Sequence, residues 1–190
     1  MCNFFSGILM KDGRVLYDLD IDDHSKLIEK LGLKDDKLQG LRSWIKFEIT
    51  PKDSSVFNKR KSNWVFKVDE ESKIEWVSDR MIKNAYAALQ TVLKKRVITE
   101  GGITIKDGRW YVGGQTKAEA YDSSTVMAHG SSTVEAYGSS IVKAYDSSIV
   151  KAHGSSTVEA YGSSIVIIEA GFKGKVSVSE NAQEVKRKLG

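Results

Sequence analysis

Residues 118–165 read AEAYDSST VMAHGSST VEAYGSSI VKAYDSSI VKAHGSST VEAYGSSI, which is one eight-residue unit written six times. A short fixed period indicates a small structural unit that buries its apolar face only by stacking on copies of itself. Within each unit the first and third residues are small and apolar, whereas the second varies between Glu, Lys and Met. This alternation predicts a short strand with Val and Ala inward and the variable residue toward solvent. The repeat therefore predicts a β-solenoid.

The residues between these strands predict the corners of the solenoid. Each strand is followed by Tyr or His, then by Gly or Asp, and then by a Ser-Ser pair. Gly allows a positive φ, and Asp or Ser side chains can bond to nearby backbone groups. Because the serine pairs recur six times, we expect them to satisfy corner backbone groups rather than to act as nucleophiles. An amphipathic helix is excluded, since a period of eight drifts around a turn of about 3.6 residues.

The number of units in one coil is either two or three. Identity supports a coil of 24 residues, because residues 134–141 recur unchanged at 158–165. Charge supports a coil of 16 residues, because that period places Glu135 beside Lys151 on the next strand. A period of 24 would place Glu135 beside Glu159, and like charges on neighbouring strands are destabilising. A two-sided coil of about 16 residues is therefore favoured, and a three-sided coil of 24 is the alternative.

The repeat resembles that of one known family. The sequence SSTVEAYGSS at residues 131–140 is similar to the halves of the sixteen-residue repeat in bacterial ice-nucleation proteins. This resemblance favours the two-sided coil and implies binding to ice or another surface. The chain departs from the family where rows of Thr-x-Thr are expected, because Ile141, Ile149 and Ile165 alternate with threonine. Ice binding is therefore the weaker alternative.

The layout of the whole chain resembles a group of uncharacterised phage and prophage proteins. Those proteins begin like MCNFFSG at residues 1–7, and a small domain and Ala-Tyr-Gly/Asp-Ser repeats follow. The resemblance covers most of the chain. It implies a cytoplasmic protein of a phage or mobile element, located in the host cytoplasm if phage-encoded. It also implies a partner in the host, either a protein or a ribonucleoprotein, for example a defence system such as a CRISPR effector that the protein would inhibit.

Composition divides the 190 residues into two parts. All four tryptophans and the only proline precede the repeats, and the net charge of +4 comes from residues 1–116. We predict an α+β domain over residues 1–98, a β-solenoid over 99–181 and a short helical capping tail over 182–190. No apolar run is long enough to span a membrane and no signal peptide is evident, which predicts a cytoplasmic protein without a membrane partner.

Strand and helix patterns also occur before the repeats. Asp-Gly turn chemistry, capping residues and apolar periodicity define the elements. The predicted elements are a hairpin over residues 3–10 and 14–19, a helix over 23–32, strands over 44–50 and 64–68, and a helix from Ser78 to about Arg96.

Basic residues alternate with aromatic residues between Lys52 and Lys67. Cations contact phosphates and aromatic rings stack on bases, so this pattern predicts nucleic acid as an alternative partner. The alternative interpretation is a solvated loop between two strands without a binding role. Acidic residues next to this loop reduce its positive electrostatic potential. The candidate residues are Lys59, Arg60, Lys61 and Trp64, with a second basic cluster at residues 94–96.

The solenoid offers a second candidate surface, built from its rings and isoleucines. The candidate partner-binding residues there are Tyr137, Tyr145, Ile149 and Tyr161. We expect the outward Ile141, Ile149 and Ile165 to form one apolar flank beside a ladder of tyrosines. Such a flank is larger than a monomer usually exposes, and strand edges at the C-terminal end of a solenoid can pair with other edges. The sequence therefore predicts a homodimer through the solenoid, by its flank or by its C-terminal end.

The sequence predicts no enzyme, no cofactor and no bound metal. Cys2 cannot form an internal disulfide as the only cysteine, and no distant partner set supports it as a nucleophile. His129 and His153 occupy the tyrosine position of the repeat, which favours stacked rings over metal ligands. Asp122 and Asp146 lack the Gly-rich spacing of calcium-binding β-rolls.

Overall fold

The computed structural model describes residues 4–34, 43–53, 55–69 and 74–187. The chain forms two compact units, Met1–Lys95 and Arg96–Gly190. Cys2 lies outside the described residues. Neither helix in the described ranges is long and apolar enough to cross a lipid bilayer.

The N-terminal unit is built on a four-stranded antiparallel sheet. Its strands are β1 (Phe5–Met10), β2 (Val15–Leu16), β3 (Trp44–Pro51) and β4 (Trp64–Val68), in the spatial order β2-β1-β3-β4. The predicted hairpin is confirmed, because Leu9 pairs with Val15 and Gly13 takes a φ of 89° at the turn. The predicted strand over residues 44–50 is also confirmed, as β3, in which Ile45 and Phe47 are fully buried.

The first predicted helix is confirmed as α1, which spans His24–Leu31. The Asp23 carboxylate accepts a hydrogen bond from an amide of the first turn, and Gly32 ends the helix in the left-handed conformation. Both caps satisfy backbone groups that a helix otherwise leaves unpaired at its ends. Leu27 packs against Ile8 in a buried cluster, so α1 covers one face of the sheet.

The second predicted helix is confirmed as α2, which spans Asp79–Arg96. Its buried residues belong to the predicted apolar stripe and are Ala85, Leu89, Val92 and Leu93. The Tyr86 hydroxyl donates to the Trp64 carbonyl at 2.9 Å and accepts from the Phe66 amide at 3.2 Å. Because β4 is the edge strand, this hydroxyl pairs backbone groups that would otherwise be open to another strand.

Over its described residues, the C-terminal unit contains twelve short strands in two parallel sheets of six. The even sheet contains β6 (Gly102–Ile105), β8 (Lys117–Ala120), β10 (Thr133–Ala136), β12 (Ile149–Ala152), β14 (Ile165–Ile168) and β16 (Gln183–Lys186). The odd sheet contains β5 (Val97–Ile98), β7 (Arg109–Val112), β9 (Thr125–Ala128), β11 (Ile141–Ala144), β13 (Thr157–Ala160) and β15 (Lys175–Val178). The chain alternates between the sheets, so each coil has two sides and the predicted β-solenoid is confirmed.

The register of the strands confirms the sixteen-residue coil and rules out the three-sided alternative. Glu135 pairs with Lys151 on the neighbouring strand, and Lys143 pairs with Glu159. Both pairs join opposite charges across sixteen positions. The attraction between these side chains therefore stabilises the observed coil of 16 residues, which is the period that the charge pattern predicted.

The core of the solenoid consists of small side chains, as the alternation predicted. The inward residues of the repeats, such as Val134 and Ala136, are 0–2% exposed. The second serine of each pair is also fully buried. The hydroxyl groups of Ser148 and Ser164 each donate to a corner carbonyl at 2.7 Å, which confirms the predicted backbone role at these two corners. The buried hydroxyl groups of Ser124, Ser132, Ser140 and Ser156 have no hydrogen-bond partner among the described residues, so the prediction is not confirmed at those four corners.

The corners depend on residues that tolerate a positive φ. Asp122 and Asp146 adopt φ values of 51° and 57°, and Gly138 adopts 60° at an equivalent position. Asp and Gly accept this conformation more readily than other residues. The alternation of Gly and Asp in the repeat is therefore explained by one backbone requirement.

The predicted helix in the tail over residues 182–190 is wrong, because the described part of this segment is the strand β16. The Gln183 amide donates to the Ser164 carbonyl and the Arg187 amide to the Ile168 carbonyl, both at 3.0 Å. The edge of β14 offers this segment a full set of backbone partners, whereas an isolated helix of this length is marginal. The segment therefore extends the even sheet by one strand.

Candidate binding surfaces

The sixteen-residue coil decides which side chains share an outer face. Successive eight-residue units fall on opposite sheets. Ile149 and Ile165 are therefore neighbours on the even sheet, whereas Ile141 lies on the odd sheet between Thr125 and Thr157. The prediction that these three isoleucines share one flank is wrong, because residues eight apart face opposite ways. The solenoid has two different apolar surfaces instead of one.

The outer face of the even sheet carries a group of aliphatic side chains near its C-terminal end. We call this group the aliphatic patch, and it consists of Ile149, Ile165, Ile167 and Val185. Ile149 pairs with Ile165 across adjacent strands, and Ile167 pairs with Val185. Val185 is 45% exposed. The sequence analysis missed Ile167 and Val185, because the first departs from the repeat and the second was assigned to a helix.

Planar rings form two ladders along the corners of the solenoid. The first ladder contains Tyr121, Tyr137 and His153, and the second contains His129, Tyr145 and Tyr161. Ring centroids are 4.5–5.2 Å apart and interplanar angles are 10–14°. The predicted stacking of the two histidines is confirmed. Of the candidate tyrosines, Tyr145 and Tyr161 stack directly on each other, whereas Tyr137 lies in the other ladder.

Hydrogen bonds from the tyrosines fix these rings over the outer faces. The Tyr137 hydroxyl donates to Glu135 at 2.6 Å, and this bond raises the pKa of Tyr137 to about 12. The Lys151 ammonium lies 2.6 Å from the same carboxylate and lowers the pKa of Glu135. Tyr161 donates to Glu159 at 2.9 Å in the same way. Because Glu159 is on the odd sheet, the second ladder lies beside the odd outer face.

His129 has a structural role in its ladder. Burial lowers the pKa of His129 below its ordinary value, and the Asp146 carboxylate opposes this shift only in part. The ring is therefore neutral at pH 7. Asp146 Oδ2 lies 3.5 Å from His129 Nδ1 and accepts a hydrogen bond from the Gly130 amide at 2.9 Å. The Asp146 carboxylate thus contacts both the Gly130 amide and the His129 ring, and so links its own coil to the preceding one.

The basic candidate residues of the N-terminal unit are only partly on its surface. Lys59, Arg60 and Lys61 are exposed between β3 and β4. Trp64 is 3% exposed, and its indole N–H donates to the Asn58 carbonyl at 2.9 Å. Trp64 therefore belongs to the interior of the unit and is not available to stack on a nucleic-acid base.

A different ring takes the position that Trp64 was expected to fill. Lys61 Nζ lies 4.8 Å from the centroid of the Tyr86 ring, which is a cation–π contact. Lys59, Lys61, Lys83, Tyr86, Ala87 and Gln90 line a surface depression, which we call the basic depression. The sequence analysis missed the residues from α2, although positions 83, 87 and 90 recur at helical spacing on its exposed side.

The second basic cluster of the sequence is divided by the fold. Lys94 and Lys95 are exposed on α2 and do not line the basic depression. Arg96 belongs to the C-terminal unit, where its guanidinium lies 4.7 Å from the centroid of the Trp110 ring. The structure therefore does not bring residues 94–96 together with Lys59 and Lys61 in that depression.

The chain was compared with protein-family models, curated proteins and solved structures. None of them matches. The candidate functional surfaces of the chain are the aliphatic patch, the odd outer face with its tyrosine ladder, and the basic depression.

Proposed function

We propose that this chain is a non-enzymatic binding protein of a phage or other mobile element. Its solenoid would engage a protein or ribonucleoprotein of the host, for example to inhibit a defence system. The observation that carries this proposal is the exposure of apolar side chains on regular parallel sheets. Solenoids of stacked repeats commonly present extended surfaces of this kind to partners.

The charged side chains on the outer faces support a binding role rather than catalysis. Lys151 lies 2.6 Å from Glu135, and Lys143 lies 2.9 Å from Glu159. Each pair joins two adjacent coils, and the lysine in each pair lowers the pKa of its carboxylate. A carboxylate held ionised by a neighbouring ammonium is a poor general acid at neutral pH. These pairs align the coils, so the outer faces act through shape and apolar contact.

The two outer faces support two different contacts. We assign the aliphatic patch to a second copy of the chain, because it adjoins β16, the last strand of the even sheet. The odd face then stays accessible for the host partner. On that face Ile141 is 39% exposed and Tyr161 is 40% exposed, beside Tyr145 in the second ladder. Large exposed aromatic and aliphatic side chains are typical anchors of protein interfaces.

Capture from host lysate with two matched variants tests the assignment of the faces. Ile141→Lys and Ile149→Lys make the same change at the same position of the repeat, but on opposite sheets. We expect Ile141→Lys to lose at least about 90% of the host protein captured by the native chain, since a buried ammonium in an apolar interface is costly. Ile149→Lys should retain it. Equal capture by the native chain and Ile141→Lys would contradict the assignment.

Nucleic-acid binding is the second candidate function, and the basic depression favours it. Three lysines converge there beside the Tyr86 ring. We expect fluorescence anisotropy with a labelled single-stranded oligonucleotide to show binding that weakens steeply with salt. Lys61→Gln and Lys83→Gln should each reduce the slope of log K against log salt by about one.

Lys106→Gln is the matched control, because it removes one exposed lysine from the other unit. It should leave the salt slope unchanged. A slope that falls equally with Lys106→Gln would indicate attraction to the overall positive charge, and a lack of binding would eliminate this candidate.

A further inference from the structure

A cluster of polar side chains in the N-terminal unit takes no part in the surfaces described above. His24 begins α1 and is only 6% exposed. Its Nε2 lies 3.0 Å from the Phe47 carbonyl oxygen, and its Nδ1 lies 3.2 Å from Asp69 Oδ2. Glu48 completes the cluster, since ligand atoms of His24, Glu48 and Asp69 all lie within 4.8 Å of one another. The buried imidazole of His24 thus lies beside two carboxylates, of which that of Asp69 is 50% exposed.

The partners of His24 define the role of each ring nitrogen. The Phe47 carbonyl oxygen only accepts hydrogen bonds, so Nε2 carries a hydrogen. In the neutral ring, Nδ1 then directs its lone pair toward the Asp69 carboxylate, which also only accepts when ionised. Both atoms can therefore act as ligands to a metal ion placed between them.

The distances agree with a metal ion. Ligand atoms about 2.0–2.1 Å from a tetrahedral Zn²⁺ lie about 3.3 Å apart. The measured separation between His24 Nδ1 and Asp69 Oδ2 is 3.2 Å. Metal-binding histidines usually donate their other ring N–H to a carbonyl or carboxylate, as His24 does to Phe47. The His24–Asp69 pair therefore has the ligand spacing and the supporting hydrogen bond of such a site, and the Glu48 carboxylate lies within 4.8 Å of both.

We infer that His24, Glu48 and Asp69 bind a divalent transition-metal ion of the Zn²⁺ type. One imidazole and two carboxylates suit this class of ion, and three protein ligands leave a coordination position for water. The ligands come from α1, from β3 and from the residue after β4. The Asp69 amide donates to the Lys46 carbonyl at 2.9 Å, which holds Asp69 next to β3. The ion would therefore join three elements of the unit.

Lys46 is the cation that competes with the metal. Its Nζ lies 3.6 Å from Asp69 Oδ2, and its side chain is 29% exposed. The lysine ammonium is carried on a flexible stem, so it can move toward solvent when an ion binds. Removal of this charge should therefore strengthen metal binding, whereas removal of a ligand should weaken it. The two kinds of change have opposite signs.

Competition with a chromophoric chelator, using Zn²⁺ and the full chain freed of metal, tests the inference. We expect one tightly bound Zn²⁺ per chain. His24→Gln and Asp69→Asn should each weaken binding at least about a hundredfold, and Lys46→Met should strengthen it about tenfold. Circular dichroism checks the fold of each variant. If His24→Gln does not fold, Asp69→Asn and Lys46→Met still carry the test.

Three controls separate this site from other zinc ligands in the chain. His129→Gln and Cys2→Ser should leave the affinity unchanged, because the inferred ligands are His24, Glu48 and Asp69. X-ray absorption at the zinc edge should show nitrogen and oxygen ligands with one imidazole. A sulfur ligand, loss of binding in either control variant, or equal affinity in the native chain and Asp69→Asn would overturn the inference.

Discussion

Replacement of Val142 by Asp is expected to unfold the solenoid. Val142 has no exposed surface and pairs with Val126 and Val158 in adjacent coils. A carboxyl group there would meet only apolar neighbours in the core, and burial of an unpaired charge or polar group is among the few changes that cost more than about 4 kcal/mol. That loss is comparable with the whole stability of many domains, which is about 5–15 kcal/mol.

The same new side chain at an outward position provides the control. Thr125 lies on β9, directly before the buried Val126, and its side chain is partly exposed. Thr125→Asp should change the free energy of unfolding by no more than about 0.5 kcal/mol. Guanidinium denaturation followed by circular dichroism compares the two variants. Similar midpoints for Val142→Asp and Thr125→Asp would show that Val142 is not in the core.

The repeat allowed the solenoid to be predicted from sequence because each of its requirements is local. A buried Val and Ala, a corner residue with positive φ and a buried serine all occur within eight positions. The opposite charges of Glu135 and Lys151 then favoured a coil of 16 residues over one of 24, since these two residues lie side by side on adjacent strands only at the shorter period. The caps of α1 at Asp23 and Gly32 were predictable for the same reason, because a cap acts within one helical turn.

The features that sequence analysis missed depend on contacts between distant segments. Tyr86 completes the basic depression because α2 packs beside β4, and His24 faces Asp69 because α1 covers the sheet. Neither contact can be read from the sequence of one segment alone, because each joins residues that are far apart along the chain. The tail was mispredicted as a helix because its own pattern is weak, and the edge of β14 determines its conformation. The predicted shared flank of isoleucines is wrong because Ile141 lies eight residues from Ile149 and therefore on the opposite sheet.

Replacement of Ile149 by Lys is expected to separate the proposed dimer into single chains. Ile149 lies in the aliphatic patch opposite Ile165. In a two-fold dimer each substitution would occur twice, so two ammonium groups would enter the apolar contact. Desolvation of each ammonium group without a partner carboxylate costs on the order of several kcal/mol. We expect the dissociation constant to rise at least about a hundredfold, which corresponds to about 3 kcal/mol.

Light scattering coupled to size-exclusion chromatography at micromolar concentration tests the central claim, that the solenoid is a protein-binding element with two distinct faces. The native chain and Ile141→Lys should each give the mass of two chains, and Ile149→Lys should give the mass of one. A native mass of one chain, or a dimer that Ile141→Lys dissociates and Ile149→Lys does not, would contradict the account.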